Sequence, residues 1–342
     1  MLTVYSEAHR KHHPKHELAG GEFVRPFEMP RRMDMILDRL GQAGMDQIVS
    51  PEDHGMTPLR RIHDNAFLEF LEGCWDEWET EGFAGEAIAS VWPARRMQQR
   101  PPDHIDGKLG YYALAAETAI CSGTWEAARS SANVALTARQ AIADGLNCAF
   151  ALCRPPGHHA AADLFGGYCF LNNAAIAAQA FLDDGASRVA VLDVDFHHGN
   201  GTQDIFYGRD DVLFLSLHGD PRQAFPNFLG YEDEAGAGKG EGFNGNYPLP
   251  PGTDYECWGQ ALASACQRIQ QFGPDAIVIS LGVDTFKEDP ISFFKLDSDD
   301  FRHYGNLLAG LNRPTLFVME GGYAVEAIGV NTVNVLQGFL DR

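Results

Sequence analysis

Short runs of consecutive apolar residues punctuate this chain, and alanine-rich stretches with helical spacing lie between them. The runs LTVYS (2–6), CAFALCR (148–154), RVAVLDVDF (188–196), VLFLSLH (212–218), DAIVISLGVD (275–284) and TLFVMEGG (315–322) show no polar–apolar alternation. They predict strands covered on both faces. Helices are predicted over 31–44, 66–79, 124–145, 172–185 and 255–272, the third closing at Gly145. Such strands separated by helices give an α/β fold, an open multi-stranded parallel sheet with helices on both faces. Two segments read as long loops: 95–110, with two prolines and mixed charge, and 219–252, rich in Gly and Pro. Helix and strand patterns resume beside both. One domain spanning 1–342 is therefore expected, with an insertion near 95–110.

In an open parallel sheet, ligands bind beyond the carboxyl ends of the strands. The residues that follow each predicted strand are the chemically capable ones. His158 and His159 follow the first of these ends, Asp195 and His197 the next, then His218, Asp284 and finally Glu320 and Tyr323. Asp195-x-His197 places a carboxylate and an imidazole on the same side of an extended segment. With Asp284 from another strand end they form an incomplete shell of nitrogen and oxygen donors, as at a catalytic zinc site. Fe(II), Co(II) or Mn(II) suit the same donors. His158 and His159 follow Pro155-Pro156-Gly157, a stiff turn that can aim both rings at one pocket as base and acid. Asp193 and Asn200 are placed to hold histidine ring nitrogens. Tyr323, after Gly321-Gly322, can donate to a developing oxyanion. His12–His13 carries no such context and is assigned no role.

Charge and cysteine usage narrow the partners. Against 26 Lys+Arg stand 47 Asp+Glu, a net charge of −21. That field repels nucleic acid and anionic membrane and attracts cations. The seven cysteines are scattered without a C-x-x-C pair, which reads as reduced thiols and no thiolate metal cluster. No run approaches ~20 apolar residues, and the start lacks the apolar core of a signal peptide. A cytoplasmic protein without a membrane partner is expected.

RPPGHHA, FGGYCFLNNAAIAA, DVDFHHGNGTQDIFY, SLH, SLGVDTFKEDP and MEGGY, in this order over about 140–325, resemble the histone deacetylase (arginase–deacetylase) superfamily. Within it the chain looks most like bacterial acetylpolyamine amidohydrolases. The resemblance implies zinc on Asp195, His197 and Asp284, the tandem histidines His158 and His159 as general base and acid, and Tyr323 as the carbonyl-polarising phenol. It implies structural potassium against Asp193, Asp195, His197, Ser216 and Leu217, and a second ion against Phe206, Arg209, Val212 and Phe243. The asparagine of the H-G-N-G turn implies a neutral partner for the second histidine. For the substrate it implies Glu17, Asp106 and Glu117 as acidic selectors, with Gly167, Tyr168 and Phe225 about the acyl-amide chain. It also implies a homodimer formed through the 95–110 loop.

Deacetylation of acetylated polyamines of the acetylputrescine, acetylcadaverine or acetylspermidine type is therefore the expected activity. The nearest alternative is an acetyl-lysine peptide deacetylase of the same mechanism. A dinuclear arginase-type site needs more carboxylates at these strand ends. A catalytically weak acetyl-amine-binding regulator need not keep Tyr323 and a full ligand set, yet all are present.

Overall fold

A computed structural model describes residues 1–94 and 96–341. In chain order its elements are β1 (Leu2–Val4), β2 (Glu17–Ala19), β3 (Glu22–Val24), α1 (Arg31–Gln42), β4 (Ile48–Val49), α2 (Thr57–Arg60), α3 (Asn65–Thr80), α4 (Ile105–Tyr112) and α5 (Thr124–Ala143). Then follow β5 (Cys148–Ala151), α6 (Asn173–Asp183), β6 (Val189–Asp193), α7 (Asn200–Phe206), β7 (Val212–Gly219), β8 (Asn244–Leu249), α8 (Tyr255–Phe272), β9 (Ala276–Leu281), α9 (Ser298–Ala309), β10 (Thr315–Met319) and α10 (Val325–Leu340).

Eight strands form one sheet in the order β4-β1-β5-β10-β9-β6-β7-β8. Every neighbouring pair in it is parallel. The β2–β3 hairpin stands apart. Successive side chains of each strand serve opposite faces. Val189 and Val191 of β6 join Val278 of β9, Leu136 of α5 and Ala178 of α6 in one core. Ala190 and Leu192 turn the other way, toward Ile36 of α1, Trp258 of α8, Phe301 of α9 and Leu336 of α10. Each fully buried Val, Leu, Ile or Phe contributes roughly 1.5–3 kcal/mol. Helices thus cover both faces, as the continuous apolar runs predict. Among the described residues no helix is long and apolar enough to cross a membrane.

The order of the strands matters most for the site. β5, β10, β9 and β6 lie side by side, so the segments that leave their carboxyl ends are spatial neighbours. Those segments carry His158 and His159, Tyr323, Asp284, and Asp195 and His197.

Three sequence expectations need correction. The strand expected over 188–196 ends at Asp193. There Asp193 Oδ1 accepts the Asp195 amide at 3.1 Å and Asp195 Oδ1 accepts the His197 amide at 2.8 Å. Aspartate side chains that satisfy the backbone two residues on replace the ladder with turns. The second half of the expected 95–110 loop is helix α4, started by His104, whose Nδ1 accepts the Asp106 amide at 3.3 Å. Its first residue, Arg95, lies outside the described residues. Within 219–252, NGNYPL forms β8 on the sheet edge, where a proline costs no ladder bond.

A buried ionic group ties the N-terminal segment to the end of β10. Glu28 Oε1 accepts from Arg32 Nη1 and from Arg154 Nε, each at 2.8 Å, and all three side chains are buried. Arg32 continues to the carbonyls of Gly322 (2.7 Å) and Glu320 (2.5 Å). Arg154 reaches those of His9 (2.6 Å) and His12 (2.9 Å). His12 is therefore structural, with its Nδ1 2.9 Å from Thr124 Oγ1. Burial pushes the Glu28 carboxyl up, but the Arg154 and Arg32 guanidiniums outweigh it and hold the group at about 2. A depressed carboxyl stabilises the fold above its ordinary range, and that contribution is lost as pH falls toward about 2. Glu28→Ala leaves two guanidiniums buried without their anion. It should cost about 3–5 kcal/mol in denaturant unfolding at neutral pH. A loss below about 1 kcal/mol, the value of an exposed pair, would contradict this role.

Candidate active site

Asp195, His197 and Asp284 meet as expected, and their donor atoms all lie within 4.8 Å of one another. His197 Nδ1 is 3.0 Å from Asp284 Oδ2 and 3.3 Å from Asp195 Oδ1. Backbone amides fix both carboxylates: Phe196 N donates to Asp284 Oδ1 at 2.7 Å, and Gly321 N to Asp195 Oδ2 at 2.8 Å. Glycine makes the space. A Cβ at Gly282 would stand 2.0 Å from Asp195 Oδ2, and one at Gly321 2.4 Å from Asp284 Oδ2. The cluster holds more negative charge than its surroundings neutralise. Burial and then the Asp195 charge push the Asp284 carboxyl up to about 8. Burial lowers His197, but hydrogen bonds to Asp195 and Asp284 outweigh it and raise the imidazole to about 10. Two carboxylates and a histidine that compete for protons in a dry site suit a divalent cation.

The tandem histidines have unequal partners. His158 Nδ1 lies 2.9 Å from Asp193 Oδ2, and His159 Nδ1 lies 2.7 Å from Asn200 Oδ1. Burial alone would lower His158, but Asp193 and Asp195 carry it to about 10. Burial, then the charges of His158 and His159's other neighbour His197, keep His159 well below 6.5. The surroundings favour the charged form of His158 and the neutral form of His159. Asn200 is uncharged and offers no anion to offset the burial of His159 and the charges of its two imidazole neighbours.

Tyr323 completes the floor. Its amide and that of Ala324 donate to Asp289 Oδ2 at 2.7 and 3.2 Å, and the Arg32 guanidinium lies 5.0 Å from its ring centroid. A cavity of about 230 Å³ opens above His159, His197 and Tyr323. Gly167, Tyr168 and Phe225 line it as expected, and so does Glu117. Glu117 Oε1 also accepts the Gly167 amide at 2.8 Å. Glu17 lines no part of it. It is buried behind Tyr168, whose hydroxyl donates to Glu17 Oε1 at 3.2 Å. Asp106 is at the start of α4, bonded to Ser90 Oγ at 3.3 Å, and does not reach the cavity within this chain.

Of the residues expected near potassium, Asp193 and Ser216 are register partners on β6 and β7, both fully buried, with Leu217 next along β7. Phe206 O accepts the Arg209 amide at 3.0 Å, and Phe243 O accepts the Phe214 amide at 2.9 Å. Val212 opens β7. His218, counted among the strand-end groups, bonds Gly230 O at 2.8 Å away from the cavity. Sequence reasoning missed Gln223, Ile291 and Phe293 on the cavity wall and Asp289 beneath Tyr323. Only Asp289 left a trace, in the acidic end of SLGVDTFKEDP.

Two variants probe this geometry. Gly167 has φ +57°, and a Cβ there would meet His159 Cδ2 at 2.2 Å. Gly167→Ala should lower kcat on the order of 10²-fold by displacing that ring, and should also lower the unfolding midpoint because alanine is strained at this φ. Unaltered turnover would show that His159 tolerates displacement. Asn200→Asp gives His159 an anionic partner, which raises its pKa. The acidic limb of the kcat/KM profile should then move to higher pH. A limb that stays in place would remove His159 as the group that must be neutral.

Comparison with known proteins identifies the family. The histone deacetylase domain model matches residues 26–339. The chain is 58% identical over 339 residues to acetylpolyamine amidohydrolase 2 of Pseudomonas aeruginosa, covering 99% of this chain and 98% of that one. It is 56% identical over 338 residues to the acetylpolyamine amidohydrolase of Mycoplana ramosa, covering 99% of each. The crystal structure of the acetylpolyamine aminohydrolase from Burkholderia pseudomallei superposes with a TM-score of 0.95 at 39% identity, over 100% of this chain and 99% of that one. Shared fold, nearly full coverage and the convergence of strand-end residues place this chain in the histone deacetylase family.

Proposed function

We propose that this chain is a zinc-dependent amidohydrolase that deacetylates small cationic amines of the polyamine class. The observation that carries the reading is the cavity wall. It joins the His159–His197–Tyr323 floor to aromatic and aliphatic sides, and among the described residues its lining includes the carboxylate of Glu117 and no Lys or Arg. Such a channel accepts an acetamide on an apolar chain and attracts an amine farther out. The acetylpolyamine amidohydrolases at 56–58% identity support the same substrate class.

Asp195, His197 and Asp284 would hold the metal, and Fe2+, Co2+ or Mn2+ would satisfy the same donors. Bound there, the ion polarises the amide carbonyl and acidifies water. His159, neutral and with Nδ1 held by Asn200, accepts the proton of the attacking water at Nε2. It returns that proton to the leaving nitrogen as the C–N bond breaks. His158 keeps its proton and offsets negative charge through the reaction. The Tyr323 hydroxyl donates to the carbonyl oxygen as it becomes anionic. Tyr168 and Phe225 flank the chain between amide and amine. Potassium against the Asp193–Ser216 pair would stiffen the strand ends that carry the ligands. Exposed Val91 (53%), just before the 95–110 segment, and Met97 (71%), within it, support a homodimer through this region.

The substrate class is tested by assaying metal-loaded protein in parallel on acetylputrescine, acetylspermidine and an acetyl-lysine peptide. The amines should give the higher kcat/KM. Glu117→Gln keeps an acceptor for the Gly167 amide while removing the charge. It should lower kcat/KM for the acetylated amines by about tenfold, about 1.4 kcal/mol, and spare a neutral acetamide of equal length. Equal losses on both substrates, or a preference for the peptide, would favour the acetyl-lysine deacetylase.

A further inference from the structure

A second set of donors lies beside the histidine pair, outside the Asp195–His197–Asp284 group. A ring nitrogen of His158, the Cys169 sulfur and a carboxylate oxygen of Glu320 all lie within 4.8 Å of one another, and the three residues are buried. Glu320 Oε2 accepts the amides of Gly157 at 2.6 Å and His158 at 3.2 Å. Its other oxygen, Oε1, is buried without a hydrogen-bond partner, and the residue has no exposed surface. An unpartnered carboxylate oxygen in a dry interior carries a free-energy cost that a cation would relieve. Cys169 Sγ donates a weak 3.3 Å contact to Gly167 O, which ligation can replace. Asp193 holds His158 by Nδ1 at 2.9 Å, the carboxylate support typical of a metal-ligating histidine, and leaves the other ring nitrogen available. Imidazole, thiol and carboxylate together suit zinc and its neighbours rather than magnesium or calcium.

We propose that His158, Cys169 and Glu320 form a second, inhibitory site for a transition-metal dication such as Zn2+. Ligation releases the Cys169 thiol proton and the Nε2 proton of the His158 imidazolium to solvent, and so withdraws His158 from the reaction. The enzyme is then active with one metal and inhibited by excess. The scattered cysteines hide this site in the sequence, because Cys169, His158 and Glu320 come from three segments that only the strand order brings together. The inhibitory consequence rests on the proposed role of His158 in amide hydrolysis, whereas the binding site itself does not.

Cobalt separates the two. The Asp195–His197–Asp284 group contains no sulfur, so thiolate-to-cobalt charge-transfer absorption cannot arise there, and its loss in Cys169→Ser assigns it to the second site rather than to the other cysteines. Titration of the metal-free protein with Co2+ should give this absorption only beyond the first equivalent, with a parallel fall in activity on an acetylated amine. Cys169→Ser should retain its thermal unfolding and its activity at one equivalent. It should lose the absorption and need at least about tenfold more metal for inhibition. Wild type without thiolate absorption beyond one equivalent overturns the site, whether or not the serine variant folds. The same absorption in Cys169→Ser, or inhibition at unchanged metal concentration, also overturns it. Failure of the substrate reading alone would instead leave the absorption and its loss in Cys169→Ser intact.

Discussion

Burial of negative charge is the constraint on which this structure turns. Asp193, Asp195, Asp284 and Glu320 have no exposed surface and sit at the ends of β6, β9 and β10. Each buried carboxylate carries a desolvation penalty of several kcal/mol unless hydrogen bonds or opposite charge repay it. The fold supplies backbone amides first, from Phe196, His197, Gly321 and Gly157. It supplies imidazoles next, from His158 and His197. Those partners fix where each oxygen points. The remaining deficit of positive charge is what makes the centre suited to a metal.

Support for this cluster comes from the N-terminal segment. Arg32 holds the carbonyls on either side of Gly321, and Glu28 couples Arg32 to Arg154 and so to the segment around His9 and His12. Tyr323 is thereby positioned from below by Arg32 and through its amide by Asp289. The loop that carries Tyr323 is tied to Asp195, since Gly321 donates to that carboxylate and Tyr323 follows two residues later. Glycine is required at 321 because a side chain would enter the space of two carboxylates.

Much of this was legible in the sequence. Continuous apolar runs revealed a sheet covered on both faces, and the functional groups after those runs marked its carboxyl edge. The partners of the histidine pair, Asp193 and Asn200, were also readable from their neighbourhood. Other features depend on long-range packing. β8 was hidden because NGNYPL has the composition of a loop and is a strand only by pairing with β7. The turn after Asp193 was hidden because Val194 and Phe196 continue the apolar run past it. The Glu28–Arg32–Arg154 group unites residues 126 positions apart, for which local spacing carries no signal. Glu17 and Asp106, which the family resemblance offered as acidic selectors, do not line the cavity of this chain: one is buried behind Tyr168 and the other bonds Ser90.

Metal content tests the central reading most directly. Protein dialysed against metal-free buffer should retain one transition-metal ion per chain by elemental analysis. Asp284→Asn preserves the shape of the side chain and removes one negative charge from the pair with Asp195. A metal site at Asp195, His197 and Asp284 predicts that this variant folds, loses the ion on dialysis and loses turnover with it. Full retention of the ion by Asp284→Asn, or turnover by wild type stripped of metal, would contradict it.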